Sequence, residues 1–230
     1  MSPNHSDMGK NTDSDSESIP MDNDLRKAMN TRLIFDDVIK VAFTRSPSIV
    51  QILRLSFSKM SVPQQLVVND LYEFCLQTMR RVNRGVNQHC KVQVLLPAME
   101  HASLQFNSSI VRIWANLISH ELITADVHPE FPYLLSRMSA EDILTLSCLG
   151  TKLCNSKKAS ASKLLATRLA KENGLELDSR KPVETCLSAA HLEHCALIEK
   201  EFGIYKLSQI GESFLMVLID PETFLTIDEN

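Results

Sequence analysis

Residues 196–219 read ALIEKEFGIYKLSQIGESFLMVLI, and no other stretch says more about the architecture of this chain. Ile198 and the segment 203–207 carry apolar and β-favouring residues on either side of a polar turn, which predicts two short strands of a hairpin. Ser208 is a residue type that caps helix N-termini, so it predicts the start of a last helix that ends before Pro221. The stretch therefore predicts a hairpin followed by a helix.

Two further helices are predicted ahead of this hairpin, one over residues 139–150 and one from about 183 to 196. The order of helix, helix, short hairpin and helix resembles the outline of a winged helix-turn-helix. Winged-helix proteins often read "L…GLI…Y.LT..G..F" at this point, and the chain is similar, with Tyr205, Gly211 and Phe214 in place and Ser208 where Thr is usual. The resemblance implies a degenerate winged-helix-like unit.

The remaining chain has apolar residues that recur every three to four positions, a spacing typical of amphipathic helices. Such helices are predicted over residues 25–44, 47–60, 61–85, 108–122, 133–138 and 157–171. Residues 86–95 alternate loosely and are predicted to be extended, with a short helix opening at Pro97. The predicted fold class is mostly α: a helical array followed by a degenerate winged-helix-like unit with one short β-hairpin.

The composition is that of an ordinary globular protein, with 44% hydrophobic and 23% charged residues. The net charge of −4 is concentrated in residues 1–24, which hold six carboxylates and one lysine and almost no large apolar groups. We therefore predict a disordered acidic tail over 1–24, an N-terminal helical region over 25–125, the winged-helix-like region over 126–220 and a short tail over 221–230. No secretory signal and no apolar run long enough to span a membrane is recognisable, so we expect a cytoplasmic protein.

A second stretch, residues 107–150, reads NSSIVRIWANLISHELITADVHPEFPYLLSRMSAEDILTLSCLG. Together with the closing phrase 205–214 it resembles the Abi-alpha (abortive infection alpha) family, whose members show "W.NLL", "VHP.F" and "I…LS..DA..L" phrases. The matching residues are Trp114, Asn116, Leu117, Ile118, Val127, His128, Pro129, Phe131, Leu134, Met138, Ser139, Asp142 and Leu144. Around the last Asp the chain departs from the pattern with Glu141 and Ile143.

This resemblance covers roughly residues 60–220 and implies a cytoplasmic, bacterial or phage-associated protein linked by its family name to the shutdown of infected cells. It brings no catalytic residues. We interpret the motif residues Trp114, His128, Pro129, Phe131, Tyr205 and Gly211 as structural. In the loop, Val127 and Phe131 fill a core, Pro129 sets the chain direction, and His128 bonds a backbone carbonyl.

The strongest charge feature lies between Ile143 and Lys171, a window that contains no carboxylate. Its cations are Lys152, Lys157, Lys158, Lys163, Arg168 and Lys171, and the predicted hairpin adds Lys206. Such a cluster suits contact with phosphates or with an acidic partner, or it is simply a solvated face. The helix predicted over 183–196 carries two Glu and no Lys or Arg, so sequence-specific reading of a DNA groove is not expected.

Other sites find little support. His191 and His194 share a helix face as a zinc pair would, and Cys186 and Cys195 lie nearby, but the second pair of ligands is missing, so no metal and no cofactor are expected. The six cysteines form no CxxC pair and are interpreted as reduced thiols. A second basic group, Arg80, Arg81, Arg84 and Lys91, follows a helix end, where cations complement the helix dipole.

From these observations we expect a non-enzymatic interaction or sensor protein that resembles abortive-infection proteins and acts through a protein partner or self-association. The alternative is a nucleic-acid-binding regulator that uses the winged-helix-like unit and the basic segment, with non-specific contact to nucleic acid. A third hypothesis, an enzyme with an unrecognised site, has no motif in its favour.

Overall fold

A computed structural model describes residues 35–41, 43–44, 47–175 and 187–223. The predicted acidic tail over 1–24, Cys186 and most of the predicted tail over 221–230 lie outside these residues. Most of the described chain is helical, and its only strands form a two-stranded antiparallel hairpin. The mostly-α fold class is therefore confirmed, whereas the winged-helix assignment and the domain boundaries stay predictions.

The described elements follow one another along the chain as short and medium-length helices with a single hairpin before the last of them. They are α1 (35–41), α2 (Pro47–Lys59), α3 (Val62–Arg81), α4 (Val92–Ala102), α5 (Ser108–Thr124), α6 (Phe131–Ser136), α7 (Ala140–Gly150), α8 (Ser156–Asn173), α9 (Leu187–His194), β1 (Ile198–Glu201), β2 (Ile204–Leu207) and α10 (Gln209–Leu218). None of the described helices is long and apolar enough to cross a membrane.

The core is built around α5, which packs against α3, α4, α8 and α10. Trp114 at its centre is fully buried, as are Leu117 and Ile118. Asn107 caps the helix by accepting hydrogen bonds from the backbone N–H groups of the first turn, and Ala125 ends it in the left-handed region at φ 58°. One hydrophobic cluster runs through the core from α1 to the residues after α10.

One local prediction was wrong. Residues 92–95 are helical rather than extended, and Pro97 lies inside α4 instead of opening a helix. The buried positions Val94, Leu95, Ala98 and Met99 follow the helical spacing, so tertiary packing of this face outweighs the loose alternation and the proline.

The C-terminal hairpin pairs β1 with β2, and a close backbone contact joins it to α10. Ile198 pairs with Leu207 and Glu201 with Ile204. The Ser208 hydroxyl accepts a hydrogen bond from the Gly211 N–H (2.9 Å), so the predicted cap is confirmed. A Cβ on Gly211 would lie only 1.8 Å from the carbonyl oxygen of Leu197, and only glycine fits at this crossing.

Candidate basic interface

The basic segment predicted from the sequence forms α8 and the turn before it. Asn155 caps the helix by accepting hydrogen bonds from the N–H groups of Lys157 (3.0 Å) and Lys158 (3.2 Å), and Gly174 ends it at φ 63°. The inward face consists largely of small residues, which allows α8 to lie close to α7. At this contact a Cβ on Gly150 would come within 2.6 Å of the Ser162 hydroxyl.

The opposite face of α8 carries the lysines. Lys157, Lys163 and Lys171 are exposed, Arg168 is half-buried at the edge of the face, and Lys152 is exposed in the preceding turn. At 1.5 Å per residue, the distance along the helix from the first of these α8 lysines to the last is about 21 Å. We call the exposed side chains of Lys157, Lys163 and Lys171 the lysine face.

The other two predicted cations lie in ion pairs. Lys158 donates to Glu212 on α10 (Nζ···Oε1 2.7 Å), which joins α8 to the last helix. Lys206 on β2 contacts both Glu199 and Glu201 on β1, and its hydrogen bonds to these carboxylates raise its pKa. The positive charge of the hairpin is thus largely balanced within the hairpin itself.

The side of the molecule that a winged helix would turn to DNA offers few donors to bases. His191 on α9 contacts the Asp142 carboxylate (3.1 Å). Burial acts to raise the pKa of Asp142, but hydrogen bonds from Ser139, Ser188 and His191 outweigh it and lower that pKa. His191 therefore joins α9 to α7. In the described ranges, no group of three His, Cys, Asp or Glu side chains could hold a metal ion.

The motif residues interpreted as structural occupy mixed environments. Trp114, Phe131 and Gly211 are buried, and the Phe131 ring meets Phe214 edge-on at 5.2 Å between centroids. Tyr205 and Pro129 are half-buried.

His128 differs from its predicted role. Its side chain is exposed, and Nδ1 accepts a hydrogen bond from the Glu130 N–H (3.2 Å) instead of donating to a carbonyl. The neighbouring Val127 and Phe131 fill the core as predicted. The histidine ring lies 5.6 Å from the Phe131 ring between centroids, so it packs over the loop at the surface.

A buried carboxylate on α5 was missed by the sequence analysis. Glu121 is fully buried and accepts hydrogen bonds from the backbone N–H groups of Lys91 and Val127 (3.2 Å to the latter). Burial raises its pKa to about 7, against the effect of these hydrogen bonds and of the Lys91 ammonium 3.8 Å away. The available signal was its spacing three residues after Ile118, which places it on the apolar side of α5.

Next to it, His120 is buried as well, with Nε2 3.0 Å from the Ile219 carbonyl oxygen. Burial lowers the pKa of His120, so the ring is neutral at physiological pH and acts as a tie between α5 and the end of α10. Glu121 and His120 are therefore joined to the loops and termini that surround α5.

A family comparison covers nearly all the residues described in this subsection. The family model described as abortive infection alpha matches residues 71–217, from α3 to α10, which is more than half of the chain. The chain belongs to the abortive infection alpha family. A search of curated proteins and a search of solved structures found no match.

The match includes the elements that the sequence motifs singled out in this abortive infection alpha protein. Both resemblance blocks, 107–150 and 205–214, lie inside it, and so do the lysine face and Glu121. The helices α1 and α2 lie outside it. The membership thus applies to the part of the chain that contains the basic interface.

Proposed function

We propose that the chain is a non-enzymatic interaction or sensor protein that acts in the cytoplasm in abortive infection, a phage defence, and docks an acidic protein partner on the lysine face. The observation that carries the proposal is the segregation of charge on α8. Lys157, Lys163 and Lys171 lie on one exposed helix face with no carboxylate between them in sequence. Family membership supports the role in abortive infection.

The inner face of α8 explains why its lysines are available to a partner. Leu165, Leu169 and the small residues beside them bury the inner face of α8 against its neighbours, which holds the helix in place. Lys163 and Lys171 are exposed on the outer face, and exposed lysine side chains contribute little to stability.

Two of the cysteines, Cys75 and Cys90, are unsuited to thiol catalysis. Burial raises the pKa of Cys75 and of Cys90 to about 12, so both stay protonated and are poor nucleophiles at neutral pH. The Cys75 Sγ donates to the Ala115 carbonyl, and the Cys90 Sγ donates to the Asn87 carbonyl. These contacts are structural.

Nucleic acid is the second candidate, because the lysine face could equally contact a run of phosphates. Two observations favour the acidic protein. Of the two lysines in the hairpin, Lys206 is paired with Glu199 and Glu201, and Lys200 lies over the Tyr205 ring. The helix α9, which would enter the groove, carries no Lys or Arg.

The test is fluorescence anisotropy of the full chain with a labelled Glu-rich peptide, duplex DNA, single-stranded DNA and RNA at low and moderate salt. The variant is Lys157→Glu/Lys163→Glu/Lys171→Glu. The matched control reverses three exposed cations elsewhere, Lys40→Glu/Lys59→Glu/Arg137→Glu. Both variants change the net charge of the chain by the same amount. A loss of binding in the α8 variant alone therefore indicates a local interface rather than attraction to the net charge of the molecule.

We expect salt-dependent binding of the acidic peptide that the α8 variant abolishes and the control variant retains. Tighter binding of a nucleic acid, lost only in the α8 variant, would favour the second candidate. If neither ligand binds, or if both variants lose binding equally, the lysine face is not an interface and the proposal is wrong.

A further inference from the structure

A polar cleft of about 280 Å³ lies beside α8, at the edge of the helix where Arg168 projects. Its walls come from α3, α5, α8 and the residues after α10, and they include three arginines, Arg81, Arg112 and Arg168. Among the described residues that line it, Asp220 is the only carboxylate. The lining therefore carries a net charge of +2, in a protein whose overall net charge is −4.

Arg81 is the arginine whose partners are already in place. It donates to Asp220 (2.9 Å), to Glu222 (2.8 Å) and to the buried Thr78 hydroxyl (3.0 Å). These hydrogen bonds fix the position of the Arg81 guanidinium in the wall of the cleft, and the two carboxylates balance its positive charge.

Arg112 and Arg168 are in a different situation. Within residues 35–41, 43–44, 47–175 and 187–223, neither has a carboxylate at ion-pair distance. The Arg112 guanidinium lies over the Phe74 ring, 5.0 Å from its centroid, which orients it and leaves its N–H groups without a carboxylate. Arg168 projects from the edge of α8 into the same cleft. Two arginines that line one concave site suit an anion, because a guanidinium recognises phosphate through paired N–H donors.

We propose that this cleft binds a small phosphate-bearing molecule, with Arg112 and Arg168 clamping the phosphate. With Arg81 already paired with Asp220 and Glu222, a dianionic phosphate would balance the two positive charges of Arg112 and Arg168. The volume lies just below the usual range for ligand sites, so the occupant is a small metabolite or an inorganic anion rather than a polymer. The helix α8 thus contributes to two sites. Its outer side carries the lysine face, and Arg168 at the edge of that face lines the cleft. The inference goes beyond the proposed function and stands independently of it.

The carboxylate of Asp220 competes with an anionic ligand for the cleft. This carboxylate already occupies Arg81, and Asp220 follows directly on the end of α10. The preceding residues are anchored to α5, because Asn116 donates to the Leu218 carbonyl (2.8 Å) and His120 contacts that of Ile219. Asp220 is thus held at the cleft by anchored backbone, and its charge opposes an incoming anion.

The experiment is isothermal titration calorimetry of the full chain with pyrophosphate, inorganic phosphate and succinate at low salt. We expect saturable binding of pyrophosphate or phosphate at one site per chain and weaker binding of succinate, a dianion without phosphate. Because a hydrogen bond to a charged group contributes more than a neutral one, Arg112→Gln and Arg168→Gln should each weaken binding about tenfold or more. Arg168→Lys should retain part of the affinity.

Three controls make the result decisive. Lys163→Gln removes a cation from α8 outside the cleft and should leave the affinity unchanged. Asp220→Asn removes the competing charge and should tighten binding severalfold, a gain that a folding defect cannot produce. Circular dichroism checks that each arginine variant is folded.

Other outcomes would overturn the assignment. No saturable binding of any of the three anions means that the cleft is not a ligand site. An equal loss in Lys163→Gln and in the arginine variants means diffuse attraction to a basic helix. Equal affinity for succinate and pyrophosphate means that the site does not select phosphate.

Discussion

The helices α5 and α8 have nearly the same length, 17 and 18 residues, but they are used in opposite ways. On α5 thirteen residues are buried, and these include Asn116, His120 and Glu121. On α8 only six are buried, none of them charged, and the basic side chains lie on the other face or at its edge. The difference separates a helix that builds the fold from a helix that offers a surface.

The polar residues of the two helices show the same contrast. Those of α5 bond to backbone groups of neighbouring segments, as Glu121 does with Lys91 and Val127. Those of α8 contact other elements chiefly through Lys158, which pairs with Glu212, and Asn173, which donates to the Ser109 hydroxyl (3.1 Å), while Lys163 and Lys171 are exposed. Substitutions on α5 should therefore affect stability, and substitutions on the lysine face should affect binding.

The largest expected effect is at the centre of α5. Trp114→Ala removes a fully buried aromatic side chain and should lower the free energy of unfolding by about 3–5 kcal/mol. Because Trp114 is the single tryptophan of the chain, urea denaturation should be followed by far-ultraviolet circular dichroism. A loss below about 1 kcal/mol would mean that α5 is not the centre of the core.

The second effect depends on pH. Burial raises the pKa of Glu121 to about 7, so between about pH 4.5 and 7 the folded state binds more protons than the unfolded chain. The contribution of Glu121 to stability should therefore fall as the pH rises through this window, by at most about 3 kcal/mol.

The comparison for Glu121 is with Glu121→Gln, which does not titrate. The difference in unfolding free energy between the natural chain and this variant, measured in urea at several pH values, should decrease from pH 4.5 to 7 and then level off. A difference that does not change with pH would show that the carboxylate keeps an ordinary pKa.

The third effect concerns the contact between the end of α7 and the inner face of α8. Gly150→Ala places a Cβ 2.4 Å from a methyl group of the buried Leu215 and close to Ser162, so it should cost about 1–3 kcal/mol through overpacking. Gly85→Ala is the matched control, because its Cβ meets nothing within 4 Å. Thermal unfolding of both variants should separate them, and equal melting temperatures would argue against close packing of α7 and α8.

The smallest effect on stability is expected on the lysine face. Lys157→Ala, Lys163→Ala and Lys171→Ala should each change the unfolding free energy by no more than about 0.5 kcal/mol. Lys158→Ala breaks the ion pair with Glu212 and should cost up to about 1 kcal/mol. Chemical denaturation measures both, and a larger loss on the lysine face than at Lys158 would contradict the division between the two helices.

Much of the fold could be predicted because its signals are local. Helices were predicted to begin at Ser61, Ser139 and Ser208, and each of these residues is the N-cap of a helix in the structure. The start of α4 was missed because residues 92–95 become helical through packing, for which the sequence offers only an ambiguous pattern.

The candidate sites were less predictable for a related reason. Arg81 was interpreted as a cation at a helix end, but its partners Asp220 and Glu222 lie 139 and 141 residues further along the chain. Arg112 and Arg168 carry no shared motif, and only the packing of α5 and α8 brings them to one cleft.

The sequence by itself determined where most helices begin and end, where the hairpin lies, and that the window from Ile143 to Lys171 holds six basic residues and no carboxylate. These features follow from caps, spacing and charge order, which act between residues a few positions apart. Only the tertiary structure decided which charges are paired, which are buried and which remain exposed. Those outcomes depend on side chains that meet across distant segments, as Lys158 meets Glu212 and Glu121 meets the backbone of Lys91.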